Sequence, residues 1–181
     1  PGAAMAFAPA AMTLGVIGIL YGAVLAFAQT DLKRMVAYTS VSHMGFVLLG
    51  VFAWNTLALQ GVVMQMLCHG LSTGALFMIV GQIQERTGTR EISRFGGLWT
   101  VAPRMGGVTL FFALASLGLP GIGNFVAELL ILLGVYAVSP AAAVFATLGL
   151  ITSTVYSVKI MQQVFFGPNT AGWSFADLSH R

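Results

Sequence analysis

The sequence predicts an all-α integral membrane protein of five transmembrane helices, the fourth of them broken. Three observations predict it. Only 7% of the 181 residues are charged, against roughly 25% in soluble domains, and the mean hydropathy is +0.90. Five apolar segments reach the roughly 20 residues that a spanning helix needs. The links between them alternate between a charged kind and an uncharged kind.

The segments fall at about residues 9–29, 35–53, 57–83, 106–134 and 139–166, within a single transmembrane domain over residues 1–181. The first carries no charge, and its Gly18-x-x-x-Gly22 permits close helix contact. The second places Thr39, Ser40 and His43 on one face. The third does the same for Gln65, His69, Ser72 and Thr73, beside a Gly70-x-x-x-Gly74 pair. The fourth is interrupted at residues 118–123, Gly-Leu-Pro-Gly-Ile-Gly, with Pro120, Gly121 and Gly123 as the helix-breaking residues. The fifth aligns Thr152, Tyr156, Lys159 and Gln163.

Five crossings put the links alternately on two sides. Lys33, Arg34, Arg86, Arg90, Arg94, Arg104 and Arg181 then share one side, and the other has no Lys or Arg. Such an asymmetry marks the cytoplasmic side. The charged loops and the tail are therefore expected in the cytoplasm, and the N-terminus on the opposite side. The stretch 86–104 reads as a loop of mixed charge with room for a short amphipathic surface helix. The opening residues Pro1-Gly2-Ala3-Ala4 carry no positive region of a signal peptide. The chain reads as a fragment: it opens without Met at the edge of one membrane segment and stops soon after another.

Glu128 is the most informative residue. It is the only acid between Glu91 and Asp177, and it follows the break inside an apolar run. A carboxylate at membrane depth is costly and marks an ion or proton path by default. Irregular backbone survives there only against protein or a watery cavity. The plainer alternative is a kinked helix whose Glu snorkels to the surface. His43 lies about 12 Å in from the charged end of its helix, and His69 about 18 Å in from the uncharged end, both near mid-membrane. Imidazole titrates near neutral pH, so both histidines suit a relay, although His also serves as interhelical glue. Ser and Thr on these faces read as glue. Lys159, near the charged end of its helix, can belong to the path or snorkel.

Other chemistry is not signalled. Cys68 is the one cysteine and rules out an intramolecular disulfide. No metal-ligand spacing and no nucleophile–base arrangement is present. Gly121-x-Gly123 is too weak for a nucleotide loop. The sequence pI near 9.5 reflects a net charge of only +3 spread over loops, not a nucleic-acid surface. No catalytic residue, metal or cofactor is expected in this chain, and its surroundings are lipid and other membrane proteins.

The run from Asp31 to Gly45, Asp-Leu-Lys-Arg-Met-Val-Ala-Tyr-Thr-Ser-Val-Ser-His-Met-Gly, resembles a signature of the antiporter-like subunits of respiratory complex I. Gln65-Met-Leu-Cys-His69-Gly-Leu-Ser-Thr-Gly-Ala-Leu-Phe77, Glu85-Arg-Thr-Gly-Thr-Arg-Glu91 and Leu119-Pro-Gly-Ile-Gly-Asn-Phe-Val-Ala-Glu128 resemble the M (chain 4) branch, since the sister branches usually carry Lys at the last position. The resemblance covers residues from about 10 to 170, and Mrp-type antiporters and membrane-bound hydrogenases share the fold. It implies one half of an inverted-repeat fold, the second five-helix repeat, with its fourth helix broken. It further implies proton translocation coupled to quinone reduction elsewhere in the complex, in a bacterial inner membrane, with antiporter-like neighbours as partners. Glu128 would be the terminal acceptor and donor opening to the periplasm. His69 and His43 would relay protons to it, with Lys159 beside the path. The family's upstream Glu and Lys positions are absent here. The alternatives are a cation/proton antiporter or hydrogenase subunit, or a structural membrane subunit with no transport role.

Overall fold

A computed structural model describes residues 2–179. It is all-helical. The helices are α1 (Gly2–Ala28), α2 (Leu32–Val51), α3 (Thr56–Thr87), α4 (Leu98–Val101), α5 (Pro103–Ser116), α6 (Gly123–Tyr136) and α7 (Pro140–Ile160). A 3-10 turn (Ile92–Arg94) precedes α4, and α7 runs on through a π-turn (Met161–Phe165). Arg181, expected on the charged side, lies outside the described residues.

Local chemistry sets the helix ends. Asp31 starts α2 by accepting from the backbone N–H groups of Lys33 (2.8 Å) and Arg34 (3.0 Å). Asn55 starts α3 by accepting from Ala58 N–H at 2.9 Å, and its amide also donates to Gly134 O of α6 at 2.8 Å. Gly88, at φ +69°, ends α3 in the left-handed conformation that glycine adopts freely. α1 begins before Pro9, since the Ala-rich start is good helix and proline is tolerated in apolar helices. α3 continues past its apolar stretch through Gln82–Thr87. Helix geometry outlasts hydropathy at both places.

Among the described residues, three helical stretches are long and apolar enough to cross a membrane: Gly2–Ala28, Thr56–Thr87 and Pro140–Phe165. α6 is apolar but shorter. α2 is less apolar because Thr39, Ser42 and His43 face protein. Burial is inverted relative to a soluble domain. Large apolar side chains such as Leu71 (74% exposed) and Phe7 (68%) point outward, whereas Gln65, Glu128 and His43 are at most 1% exposed. That is the burial pattern of a membrane-embedded protein.

Close helix contact follows the glycines in part. A Cβ on Gly22 would stand 2.7 Å from Ser42 N, and one on Gly61 2.7 Å from Ala127 O, so α1 meets α2 and α3 meets α6 backbone to backbone. Gly70 and Gly74 do not act this way. Nothing lies within 4 Å of a Cβ at either one, so the spacing signals no contact among the described residues.

The stretch 86–104, expected as a loop of mixed charge with room for a short amphipathic helix, carries the 3-10 turn and α4 with Glu91 and Arg94 exposed. Its Ile92, Phe95 and Leu98 are buried in an apolar cluster with Leu32, Ile83 and Met105. Backbone hydrogen bonds from Leu32 N–H to Arg90 O (2.9 Å) and from Ile92 N–H to Thr30 O (2.8 Å) tie it to the α1–α2 link. The Arg90 guanidinium reaches Asp31 at 3.3 Å. The tail closes the same end: Asp177 accepts from the N–H groups of Arg104 (2.8 Å) and Met105 (3.1 Å), capping α5 from afar. Burial raises the Asp177 carboxyl, but the N–H groups of Arg104, Leu178 and Met105 and the Arg104 charge outweigh that and hold it below its ordinary range.

A second apolar cluster, with Met12, Phe46, Leu49, Ala58, Ile131 and Ala146, fills the opposite end. The helices carry their polar side chains between the two clusters. On α2, His43 lies between Val36 and Phe46; on α3, Gln65 and His69 lie between Val62 and Leu76; on α7, Tyr156 lies between Ala146 and Ile160. A polar belt is thus plugged above and below by apolar packing.

Candidate functional site: a carboxylate–imidazole network in the polar belt

α5 stops at Ser116 and α6 begins at Gly123, and the six residues between them shape the site. Pro120 supplies no N–H, and Gly118 (φ +77°) and Gly121 (φ +101°) take conformations that other residues resist. Gly123, expected within the break, is the first residue of α6. It permits close packing on α3, because a Cβ there would collide with the Cys68 sulfur. Residues 119–121 are exposed, whereas Gly118 and the Glu128 carboxylate are buried.

The second turn of α6 brings Glu128 inward. Its Oε1 lies 3.0 Å from His43 Nδ1, with side chains 2% exposed on both sides. Gln65 Nε2 donates to the same oxygen at 3.2 Å and stands 3.4 Å from His43 Nδ1. On the other edge of the ring, His43 Nε2 faces the Tyr156 hydroxyl at 3.1 Å and the Ser116 hydroxyl at 3.3 Å. Five helices therefore converge on one imidazole. Glu128 Oε2 and Gln65 Oε1 have no hydrogen-bond partner among the described residues.

Chemically the pair can hold one proton between Oε1 and Nδ1. With Glu128 ionised, Nδ1–H donates to an acceptor-only carboxylate; with Glu128 protonated, its O–H donates to bare Nδ1. Gln65 supports Oε1 in both states. Opposite it, the Tyr156 and Ser116 hydroxyls lie within hydrogen-bond reach of Nε2.

His69 sits beside this pair. Its ring centroid is 5.1 Å from that of His43, and the Thr73 hydroxyl contacts it at 3.1 Å. Asn124 Nδ2 donates to Ser72 Oγ at 3.3 Å, tying α6 to the His69 face. The Gln65, His69, Ser72 and Thr73 face is wholly buried.

Lys159 is not part of the cluster. Its Nζ donates to Phe27 O (2.6 Å) and Gln29 O (3.2 Å) at the end of α1 and lies over the Phe27 ring. It caps the negative end of that helix. Sequence reasoning left out Ser116 and Asn124 and treated Gln65 and Tyr156 only as members of polar faces. Asn124 was within reach, since it precedes Glu128 by one helical turn. Ser116 carries no periodic signal of its own.

An apolar outer surface around a belt of ionisable groups defines an integral membrane protein that keeps those groups from lipid. More narrowly, the chain belongs to the NADH:quinone oxidoreductase/Mrp antiporter transmembrane family, which it matches over residues 3–154. It is 56% identical over 169 residues to NADH-quinone oxidoreductase subunit M of Pseudomonas aeruginosa, covering 93% of this chain and 33% of that one. The structure of Thermus thermophilus respiratory complex I with bound NADH contains a similar chain, with TM-score 0.91 and 38% identity, covering 96% of this chain and 37% of that one. A chain of the Mrp complex from a Dietzia species is similar at TM-score 0.85 and 25% identity, covering 92% and 31%. The chain spans about a third of the length of the curated relatives it matches.

Proposed function

We propose that this chain is part of the M subunit of a proton-translocating NADH:quinone oxidoreductase and carries the periplasm-facing half of a proton path. The carrying observation is the Glu128–His43 contact at 3.0 Å, buried between two apolar plugs. A carboxylate and an imidazole that share one proton in a buried layer are a relay element. Glu128 is the terminal acceptor and donor on the periplasmic side, and His43 and His69 pass protons to it. Lys159 stands at the cytoplasmic margin, where its carbonyl partners favour an anchoring role over relay. The path needs no cofactor or metal in this chain.

The rest of the reading follows from the same features. α5 and α6 together make one broken crossing, Pro120 and Gly121 being the break, so the domain crosses five times. Lys33, Arg34, Arg86, Arg90, Arg94 and Arg104 gather at one end, which supports a cytoplasmic position for it in a bacterial inner membrane. The outward Leu, Phe and Met side chains meet lipid and neighbouring antiporter-like subunits. The higher identity to M subunits than to the Mrp chain favours the quinone-linked complex over an antiporter.

The test is Glu128→Gln in the full-length subunit within its complex. Gln keeps the hydrogen bonds but cannot exchange a proton as an acid does. The variant should assemble and lose most proton translocation in vesicles, normalised to complex content. Translocation at the wild-type rate would sink the reading and favour a purely structural subunit.

A further inference from the structure

We propose that Tyr156 is the positioning residue of His43: its hydroxyl donates to Nε2 and so fixes the imidazole as the tautomer whose Nδ1–H faces Glu128. This rests on the relay reading only in its consequence; the geometry stands apart from it.

The argument starts from what surrounds the ring. Facing His43 are Gln65 and His69 from α3, Ser116 from α5, Glu128 from α6 and Tyr156 from α7. The sole titratable side chain of α1, Tyr21, points outward. With Glu128 ionised, the acceptor at 3.0 Å requires a hydrogen on Nδ1. A neutral ring then has a bare Nε2, which needs a donor in a layer where an unmet polar group is costly. Tyr156 is 0% exposed and its Oη is the nearer hydroxyl, at 3.1 Å against 3.3 Å for Ser116.

Two features single out Tyr156. Its phenol O–H turns only about one bond, on a ring held by packing against Ala23 and Ala26, whereas the Ser116 rotor has more freedom. It also comes from the middle of α7, whereas Ser116 is the last residue of α5. Tyr156 Oη lies 3.1 Å from the one ring nitrogen that Glu128 leaves unmatched, with the Ser116 and Ser153 hydroxyls also beside it.

The experiment is Tyr156→Phe in the full-length subunit within its complex, with 15N-labelled histidine. The His43 resonances are assigned by difference against His43→Gln. A buried hydrogen bond of ordinary strength is worth a factor of about three to ten in a tautomer ratio. The variant should therefore lower the ratio of Nδ1–H to Nε2–H at His43 by about that factor, while Ser116→Ala leaves it near wild type. If Tyr156→Phe does not assemble, 3-fluorotyrosine at position 156, a stronger donor of the same shape, should shift the Nε2 resonance further toward the hydrogen-bonded acceptor. An unchanged His43 spectrum in whichever variant assembles overturns the assignment. Because the readout is the tautomer and not pumping, it stands or falls separately from Glu128→Gln.

Discussion

Gly118 and Glu128 are in contact across the helix break: a Cβ on Gly118 would stand 2.9 Å from Glu128 Oε2. The break therefore does more than end α5. It leaves room for a carboxylate that any other residue would crowd, and it does so at a backbone angle, φ +77°, that favours glycine.

Gly118→Ala should accordingly damage function by displacing the carboxylate. The left-handed backbone costs an alanine about 1–2 kcal/mol, and the methyl pushes Oε2 away, pulling Oε1 from His43 and Gln65. Gly121→Ala is the control. It carries a similar backbone cost at φ +101°, but nothing lies within 4 Å of its Cβ. Assembly should fall in both variants, and proton translocation per assembled complex should fall only in Gly118→Ala. Equal translocation by the two would show that the contact does not matter.

Asp177 gives a pH-dependent prediction outside the membrane layer. Its carboxyl sits below its ordinary value of 3.8 when the tail is docked, chiefly because backbone N–H groups outweigh the opposing effect of burial. A lowered folded value means a contribution that is fully present above pH 3.8 and is lost as pH falls through the still lower docked value. Above that window, Asp177→Asn should speed amide hydrogen exchange at Arg104 and Met105, an N-cap being worth about 1 kcal/mol. Below it the two proteins should exchange alike. An effect that persists unchanged in acid would mean that the charge of Asp177 is not what docks the tail.

Sidedness can be tested by labelling. Thr56→Cys and Ser93→Cys both introduce thiols at exposed positions, in a background lacking Cys68. An impermeant maleimide should label position 93 from the cytoplasm and position 56 from the periplasm. Cytoplasmic labelling of position 56 would reverse the orientation drawn from Lys and Arg.

Much of the site was legible because a helix repeats every 3.6 residues. Gln65, His69, Ser72 and Thr73 fall on one face by spacing alone, and that face is buried as a unit. Glu128 stood out by its isolation. What spacing does not carry is which way a long side chain leans or what arrives from elsewhere in the chain. Tyr156 and Lys159 are neighbours on one polar stripe, yet the first turns into the belt and the second reaches the end of α1. Ser116 joins His43 from the last residue of α5, a position that spacing does not mark. Gly70-x-x-x-Gly74 matches a contact motif with nothing to contact among the described residues, since the motif records small size and not a partner. The loop 86–104 has charges enough for a surface, but Ile92, Phe95 and Leu98 carry the energy of its packing.

His69 offers the sharpest separation of relay from glue. Its ring centroid lies 5.1 Å from that of His43 with no hydrogen bond between the rings among the described residues, so a proton passing between them needs a bridging water, and Thr73 one turn away holds the ring. If it only binds helices together, His69→Gln should behave like wild type, because an amide of similar reach can take the Thr73 hydroxyl as partner. If it relays, the same variant should assemble normally and translocate protons several-fold more slowly, because an amide does not titrate in the range in which imidazole does. His69→Ala should then add a loss of assembly, from the cavity and the unmet Thr73 hydroxyl, about 1–3 kcal/mol for the latter. The measurement is proton uptake by reconstituted vesicles, divided by complex content, with thermal unfolding in parallel. Slowed uptake in both variants, with instability confined to Ala, is the relay outcome. Normal uptake in Gln together with instability in Ala would leave His69 as a structural bond and shorten the path to His43 and Glu128.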